Sequence, residues 1–276
     1  MPVVPLVLVA ALLHATWNAL VKSVDDRLSV LALIGATSVL VCLPIAVVAP
    51  APRGAALPFL AGSVAVHGIY TLLLIGCYRH GDFNQVYPVA RGLAPPTVAV
   101  SAAVLVCERI GGAQAVGLVV LTVGMLVIAL GRGRASRRGL TFAGLTGLAI
   151  AAYTVLDGIG VRHSGSALGY TGWLFVAEGL ILPAVWLVRR GGGSVRQLPR
   201  GLLVRGAGAG VLSVIAYGLV LWAQTRGALA VVAALRETSV VFGALIGAAM
   251  FRERLPSRRV LASALIAAGA VLLAAD

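Results

Sequence analysis

Apolar residues come in long blocks along the whole chain, each ended by a short stretch of Gly, Pro or charge. The blocks are near twenty residues long, the length a helix needs to cross a hydrocarbon core of about 30 Å. Loop signals divide the chain into ten predicted spans: 4–22, 29–49, 57–78, 84–106, 112–131, 140–161, 168–188, 202–224, 228–250 and 257–275. Connecting stretches are short, so no soluble domain is available for separate chemistry. The pattern predicts an all-α integral membrane bundle of ten transmembrane helices.

Composition strengthens this reading. Of 276 residues, 60% are hydrophobic and 11% charged, roughly half the charged fraction of a soluble domain. The first block, "VVPLVLVAALLHATWNALVK", has no preceding basic stretch and no small-residue cleavage site, so it reads as a retained helix. Cys42, Cys77 and Cys107 lie in or near separate blocks without metal or disulfide spacing, and are expected to be small packing residues. A net charge of +13 points to basic loops that fix orientation, not to nucleic acid. Sixteen basic residues fall in the odd-numbered loops, from Lys22 and Arg27 to Arg258 and Arg259. Four fall in the even-numbered loops: Arg53, Arg109, Arg162 and Arg226. The positive-inside rule therefore predicts that the odd loops are cytoplasmic and that both termini face outward.

A shift of 145 residues superimposes Arg91 on Arg236, Glu108 on Glu253, Arg109 on Arg254 and Gly124 on Gly269. Three charged matches carry weight in a sequence so poor in charge. The repeat has five spans, an odd number, so its second copy lies upside down relative to the first. Inverted repeats of this kind form transporters with a midplane site between the halves. The expected organisation is a first repeat over 1–131, a cytoplasmic basic linker over 132–139 and an inverted second repeat over 140–276.

The stretches "ALLHATWNALVK", "YRHGDFNQVYPVARGLAPP", "AAYTVLDGIGVR" and "LRETSVVFGALIGAAMFRERL" resemble the EamA type of the drug/metabolite transporter superfamily. The resemblance covers nearly the whole chain, and the paired "ER" endings and five-plus-five layout are its most specific parts. It implies a ten-helix exporter or importer of small metabolites, often amino acids or their relatives. The HATWN and VYPVARG stretches also resemble a branch found near phosphonate-utilisation genes.

Ionisable groups within membrane spans are costly and usually face a cavity or a partner. Here they are His14, His67, Arg91, Asp157, Glu178, Arg236 and Glu237. In "VYPVARGLAPP", Tyr87 and Arg91 share a helical face, and Pro88, Pro95 and Pro96 remove backbone donors. One reading is a broken, substrate-facing backbone with Arg91 as an anion anchor; the other is a helix start whose arginine snorkels or forms a structural ion pair. Arg236 and Glu237 are adjacent, so each is expected to find a partner elsewhere. Arg236 is expected to be the more structural of the two arginines. His14, Trp17 and Asn18 share a face of the first span, and Tyr153 and Asp157 a face of the sixth. Ring-plus-polar pairs suit a small polar ligand; polar side chains also bond between helices in membrane bundles. Asp157 and Glu178 are candidates for proton coupling. Tyr217 and Gln224 share a face of the eighth span, and Trp222 suits either that cavity or the interface.

These residues predict a secondary transporter of a small polar metabolite, amino acid-like or another zwitterion or anion. The substrate-binding candidates are His14, Trp17, Asn18, Tyr87, Arg91, Tyr153, Asp157, Tyr217 and Arg236. No cofactor or metal is implied, the expected partners are the small-molecule substrate and the lipid bilayer, and a homodimer is compatible. The alternative is a membrane enzyme acting on a lipid or prenyl substrate. Such enzymes need clustered carboxylates for magnesium, or a nucleophile beside a base. The acids here are scattered, with no HExxH or Asp-rich run, and no Walker motif supports ATP-driven transport.

Overall fold

The computed structural model describes residues 3–80, 83–129, 136–191, 197–251 and 256–275. Within them the chain forms α1 (Val3–Lys22), α2 (Arg27–Val48), α3 (Leu57–His80), α4 (Phe83–Leu105), α5 (Gly112–Ala129) and α6 (Arg137–His163). The second half forms α7 (Ala167–Gly179), α8 (Ile181–Arg190), α9 (Arg200–Gln224), α10 (Leu229–Arg236), α11 (Ser239–Phe251) and α12 (Ser257–Ala274). With α7–α8 and α10–α11 each counted as one broken span, ten stretches are long and apolar enough to cross a membrane. Leu40, Val48, Leu72, Val104, Val188 and Val271 are among the large apolar side chains left exposed, as a lipid-facing surface requires.

Loop contacts sort the two ends of the bundle. At the even-loop end, Arg162 pairs with Glu108 at 2.7 Å and donates to the carbonyls of Gln224 (2.7 Å) and Gly227 (2.8 Å). Glu108 also accepts from the Leu229 amide at 2.7 Å, which satisfies a free donor at the start of α10. The first "ER" motif thus ties three loops together; Glu253 and Arg254 of the second lie outside the described residues. At the odd-loop end, Arg190 grips Asp26 with bonds of 2.7 and 3.1 Å, and Arg205 donates to the Ser23 carbonyl. Partial burial alone would push the Asp26 carboxyl up; hydrogen bonds from Ser29 and Arg190 outweigh it and hold the carboxyl below its usual range. Residues 132–135, half of the 132–139 linker, lie outside the described residues. Its Ser136 caps the Gly139 amide, so α6 begins at Arg137, three residues before the predicted limit.

The packing repeats itself across the halves. α1 packs on α9 as α6 packs on α3, and α1 meets α10 and α11 as α6 meets α4. α5 and α12, repeat mates, pack directly on each other. A Cβ on Gly117 would sit 2.7 Å from the Gly269 carbonyl, and one on Gly124 would sit 3.0 Å from the Ala262 carbonyl. A 145-residue shift turns Gly117 into Ala262 and Gly124 into Gly269. The two close contacts are therefore images of one another, as a pseudo-two-fold axis between inverted repeats demands.

The backbone breaks are not where the prolines suggest. α4 stays helical through Pro88, Pro95 and Pro96. Its lost amide bonds are tolerated because α5, α6 and α10 pack around it. Its proline-free mate breaks instead, between Arg236 and Ser239. There the Glu237 and Thr238 amides bond three residues back, to Ala234 and Leu235, and the Thr238 hydroxyl also reaches the Leu235 carbonyl at 2.7 Å. This is the tightened turn of a helix end. The break at Leu180 has a proline behind it: Pro183 cannot donate to Gly179. Cys42 and Cys77 pack in the interior as expected, but Cys107 is exposed just past the end of α4, with a left-handed φ of 53°.

Candidate functional site

Two polar clusters sit inside the bundle, joined by Tyr217 on α9. The first forms where α4 meets the α10–α11 break. Arg91 Nε lies 2.8 Å from Glu237 Oε2 as an ion pair, and the Arg91 terminal nitrogen donates to the Ser239 hydroxyl at 3.1 Å. Arg236 Nε lies 4.0 Å from the other Glu237 oxygen and makes no hydrogen bond. All three side chains are buried: Arg91 and Arg236 are 4% exposed and Glu237 is fully enclosed. One carboxylate therefore faces two guanidinium groups.

α1 lines this cluster. His14 is within electrostatic range of both arginines, and its ring meets that of Trp17 edge-on at 5.1 Å. His14 Nε2 and Trp17 Nε1 are buried without a hydrogen-bond partner among the described residues. The Asn18 amide donates to the His14 carbonyl one turn back, at 2.8 Å. The Tyr87 side chain lies outside the described residues.

The second cluster joins α3, α6, α7 and α9. Asp157 accepts from the Tyr217 hydroxyl at 2.6 Å and the Tyr170 hydroxyl at 3.1 Å. Local structure explains the second bond. Gly165, at φ 76°, turns the chain back after α6, and the Ser166 hydroxyl caps the Gly169 amide at the start of α7. Tyr170 then faces α6, where Gly160 leaves it room: a Cβ there would sit 2.5 Å from the hydroxyl. His67 Nε2 lies 3.4 Å from Glu178 Oε2, and its Nδ1 lies 3.0 Å from the Ser63 carbonyl. The His67 ring stacks on Tyr153 at 4.0 Å.

Tyr217 bridges the clusters. Its hydroxyl is on Asp157, and the Arg236 guanidinium lies over its ring at 5.9 Å. Gln224, two turns on, is buried against α6 and reaches the Thr154 carbonyl at 3.4 Å. Trp222 stays near the even-loop end under the Arg226 guanidinium, 4.9 Å from its ring centre. Trp173, near Glu178 in sequence, is 41% exposed and takes no part. An open cleft of about 410 Å³ lies elsewhere, between Asp26, Trp186, Arg190, Pro199 and Leu202 at the odd-loop end. Its Asp26 and Arg190 already neutralise each other, whereas the first enclosed cluster sets two guanidinium groups against one carboxylate; the enclosed clusters are therefore the better candidate site.

The sequence profile of the EamA-like transporter family matches residues 137–275, half of the chain. The chain belongs to the EamA-like transporter family. No curated protein sequence matches it significantly. A solved crystal structure superimposes on this EamA-like protein with a TM-score of 0.75 at 18% identity, covering 98% of this chain and 96% of the other. That likeness concerns the fold. Neither finding bears on the phosphonate-associated branch. Sequence reasoning missed Tyr170 and Ser239 in this EamA-like transporter. It named His67 among the buried ionisable groups but not among the binding candidates. The signal for Tyr170 was the "SGS" turn at 164–166, which folds α7 back along α6.

Proposed function

We propose that this EamA-like protein is a secondary transporter carrying a small zwitterionic metabolite across the cytoplasmic membrane by alternating access. Its substrate would sit at the midplane between the two repeats. One observation carries the reading: a pole rich in positive charge and a pole rich in carboxylates are separated by a single tyrosine. Arg91 and Arg236 with His14 and Trp17 form the first; Asp157 and Glu178 with His67 form the second. A bound amino acid would turn its carboxylate toward the arginines and its ammonium toward the acids. Tyr153 and Tyr217 offer rings and hydroxyls between them.

Asp157 and Glu178 are the proposed proton-coupling groups, since intramembrane acids serve as relays in pumps and transporters. Asp157 is held by two tyrosines, so Glu178, with its looser contact to His67, is the readier to exchange partners. The sixteen basic residues of the odd loops set that end in the cytoplasm and both termini outside. Uptake of a labelled metabolite panel into proteoliposomes tests the reading. Amino acids with both charged groups should enter; analogues lacking either group should not. Uptake of neutral solutes alone would reject it.

A further inference from the structure

The internal repeat relates more than Arg91 and Arg236. Under the same 145-residue shift, Glu237 corresponds to Gly92. The Arg91–Glu237 ion pair therefore has an image in Arg236 and Gly92, and Gly92 has no side chain. Where the first arginine receives a fixed carboxylate from the opposite repeat, the second receives none. The remaining geometry agrees with a missing anion. Neither arginine Nε makes an aligned hydrogen bond, but Arg91 Nε has a carboxylate oxygen at 2.8 Å, whereas for Arg236 Nε, among the described residues, Glu237 Oε1 at 4.0 Å is the only carboxylate oxygen within 4 Å. Glu237 itself is held at 2.8 Å by Arg91. Nearby on α1, the Trp17 indole nitrogen and His14 Nε2 are also buried and unbonded. A buried polar group without a partner is costly; three of them in one neighbourhood mark a place for a ligand that accepts hydrogen bonds.

We propose that Arg236, not Arg91, is the substrate's carboxylate anchor: the bound carboxylate supplies the counter-charge that position 92 does not, with the Trp17 and His14 ring nitrogens as further donors. Arg91 is a positioning residue that holds Glu237 away from Arg236. A guanidinium fork can take a carboxylate through two parallel bonds, the geometry that gives such pairs both strength and direction. This assignment deepens the zwitterion reading and rests on it for the other end of the substrate.

The positioning role makes an unusual prediction. In Arg91→Gln the freed Glu237 turns to Arg236 and fills the anion place from within, so substrate affinity falls. In Arg91→Gln/Glu237→Gln the internal competitor is gone and affinity returns. The test is thermal stabilisation of the full chain in detergent by the standard α-amino acids and their carboxamides, with sodium acetate as the minimal probe. Expected is stabilisation by an amino acid but not by its carboxamide. It should be weakened tenfold or more by Arg236→Gln and by Arg91→Gln, and be within about threefold of wild type in the double variant.

Wild-type affinity in Arg236→Gln, equal binding of acid and carboxamide, or no rescue in the double variant would each overturn the assignment. So would an Arg236→Gln protein that fails to fold, since an arginine without a fixed partner should not be needed for folding. Arg236-dependent stabilisation by acetate, with none by any amino acid, would keep the anion site and reject the zwitterion reading. No stabilisation of wild type by any of these probes would reject the anion site.

Discussion

Neutralising Glu237 should do more harm than neutralising either arginine, and a second substitution should undo part of that harm. Glu237 is the one carboxylate between two buried guanidinium groups, with Arg91 Nε at 2.8 Å and Arg236 Nε at 4.0 Å. Breaking a buried pair by removing one partner costs about 3–5 kcal/mol, because the other charge stays buried. Glu237→Gln leaves two such charges and should fall at the upper end. Arg91→Gln strands Glu237, but Arg236 is already near. A pair 4 Å apart has a gross Coulomb attraction of about 4 kcal/mol at an effective dielectric of 20, so the net loss should be about 2 kcal/mol. Arg91→Gln/Glu237→Gln leaves only Arg236 without a partner and should be more stable than Glu237→Gln alone. The coupling energy of the cycle should be at least about 2 kcal/mol. A thiol-reactive dye gives the readout: Cys42 and Cys77 are buried and react only on unfolding, while exposed Cys107 is first replaced by Ser. Additivity within about 0.5 kcal/mol would refute the reasoning, as would a double variant weaker than Glu237→Gln.

Gly269→Ala should cost about 1–3 kcal/mol, because its Cβ would sit 2.6 Å from the Gly117 carbonyl and 2.7 Å from the Leu121 amide, forcing α5 and α12 apart. Gly208→Ala, in open space on α9, should be neutral or stabilise by about 0.5–1 kcal/mol in the same melts. Glu178→Gln should abolish uptake driven by a pH gradient while sparing exchange of substrate for substrate; unchanged pH dependence in it and in Asp157→Asn would remove both acids from coupling. Reporter fusions after residue 276 should read as external; a cytoplasmic signal would reverse the orientation and leave the fold intact.

The spans were legible because membrane helices leave a coarse signal, apolar length between charged loops, that hardly depends on tertiary detail. The inverted repeat was legible in Arg91, Glu108 and Gly124 for a related reason: a charge or a contact glycine is rare enough to mark register. The helix breaks were not. Prolines in α4 remove hydrogen bonds, yet it stays one continuous helix among its neighbours; α10 ends at Arg236 without proline or glycine, at the point where Glu237 meets Arg91. Arg91 lies in a helix 146 residues earlier, and no local pattern reports that pairing. The site was legible as a set of buried polar residues. Its partnerships were not, because Arg91 finds Glu237, and Asp157 finds Tyr170 and Tyr217, only once both repeats have packed.

The proposed transporter grips both ends of a zwitterion across Tyr217. Counterflow tests it most directly: proteoliposomes preloaded with an unlabelled α-amino acid, diluted into the same compound labelled, with the matching carboxamide and the matching amine-free acid as competitors. The expected result is saturable label accumulation above protein-free vesicles, blocked by the unlabelled amino acid and by neither competitor at equal concentration. Accumulation blocked equally well by the carboxamide and the amine-free acid, or no accumulation for any amino acid while a neutral solute exchanges, would contradict it.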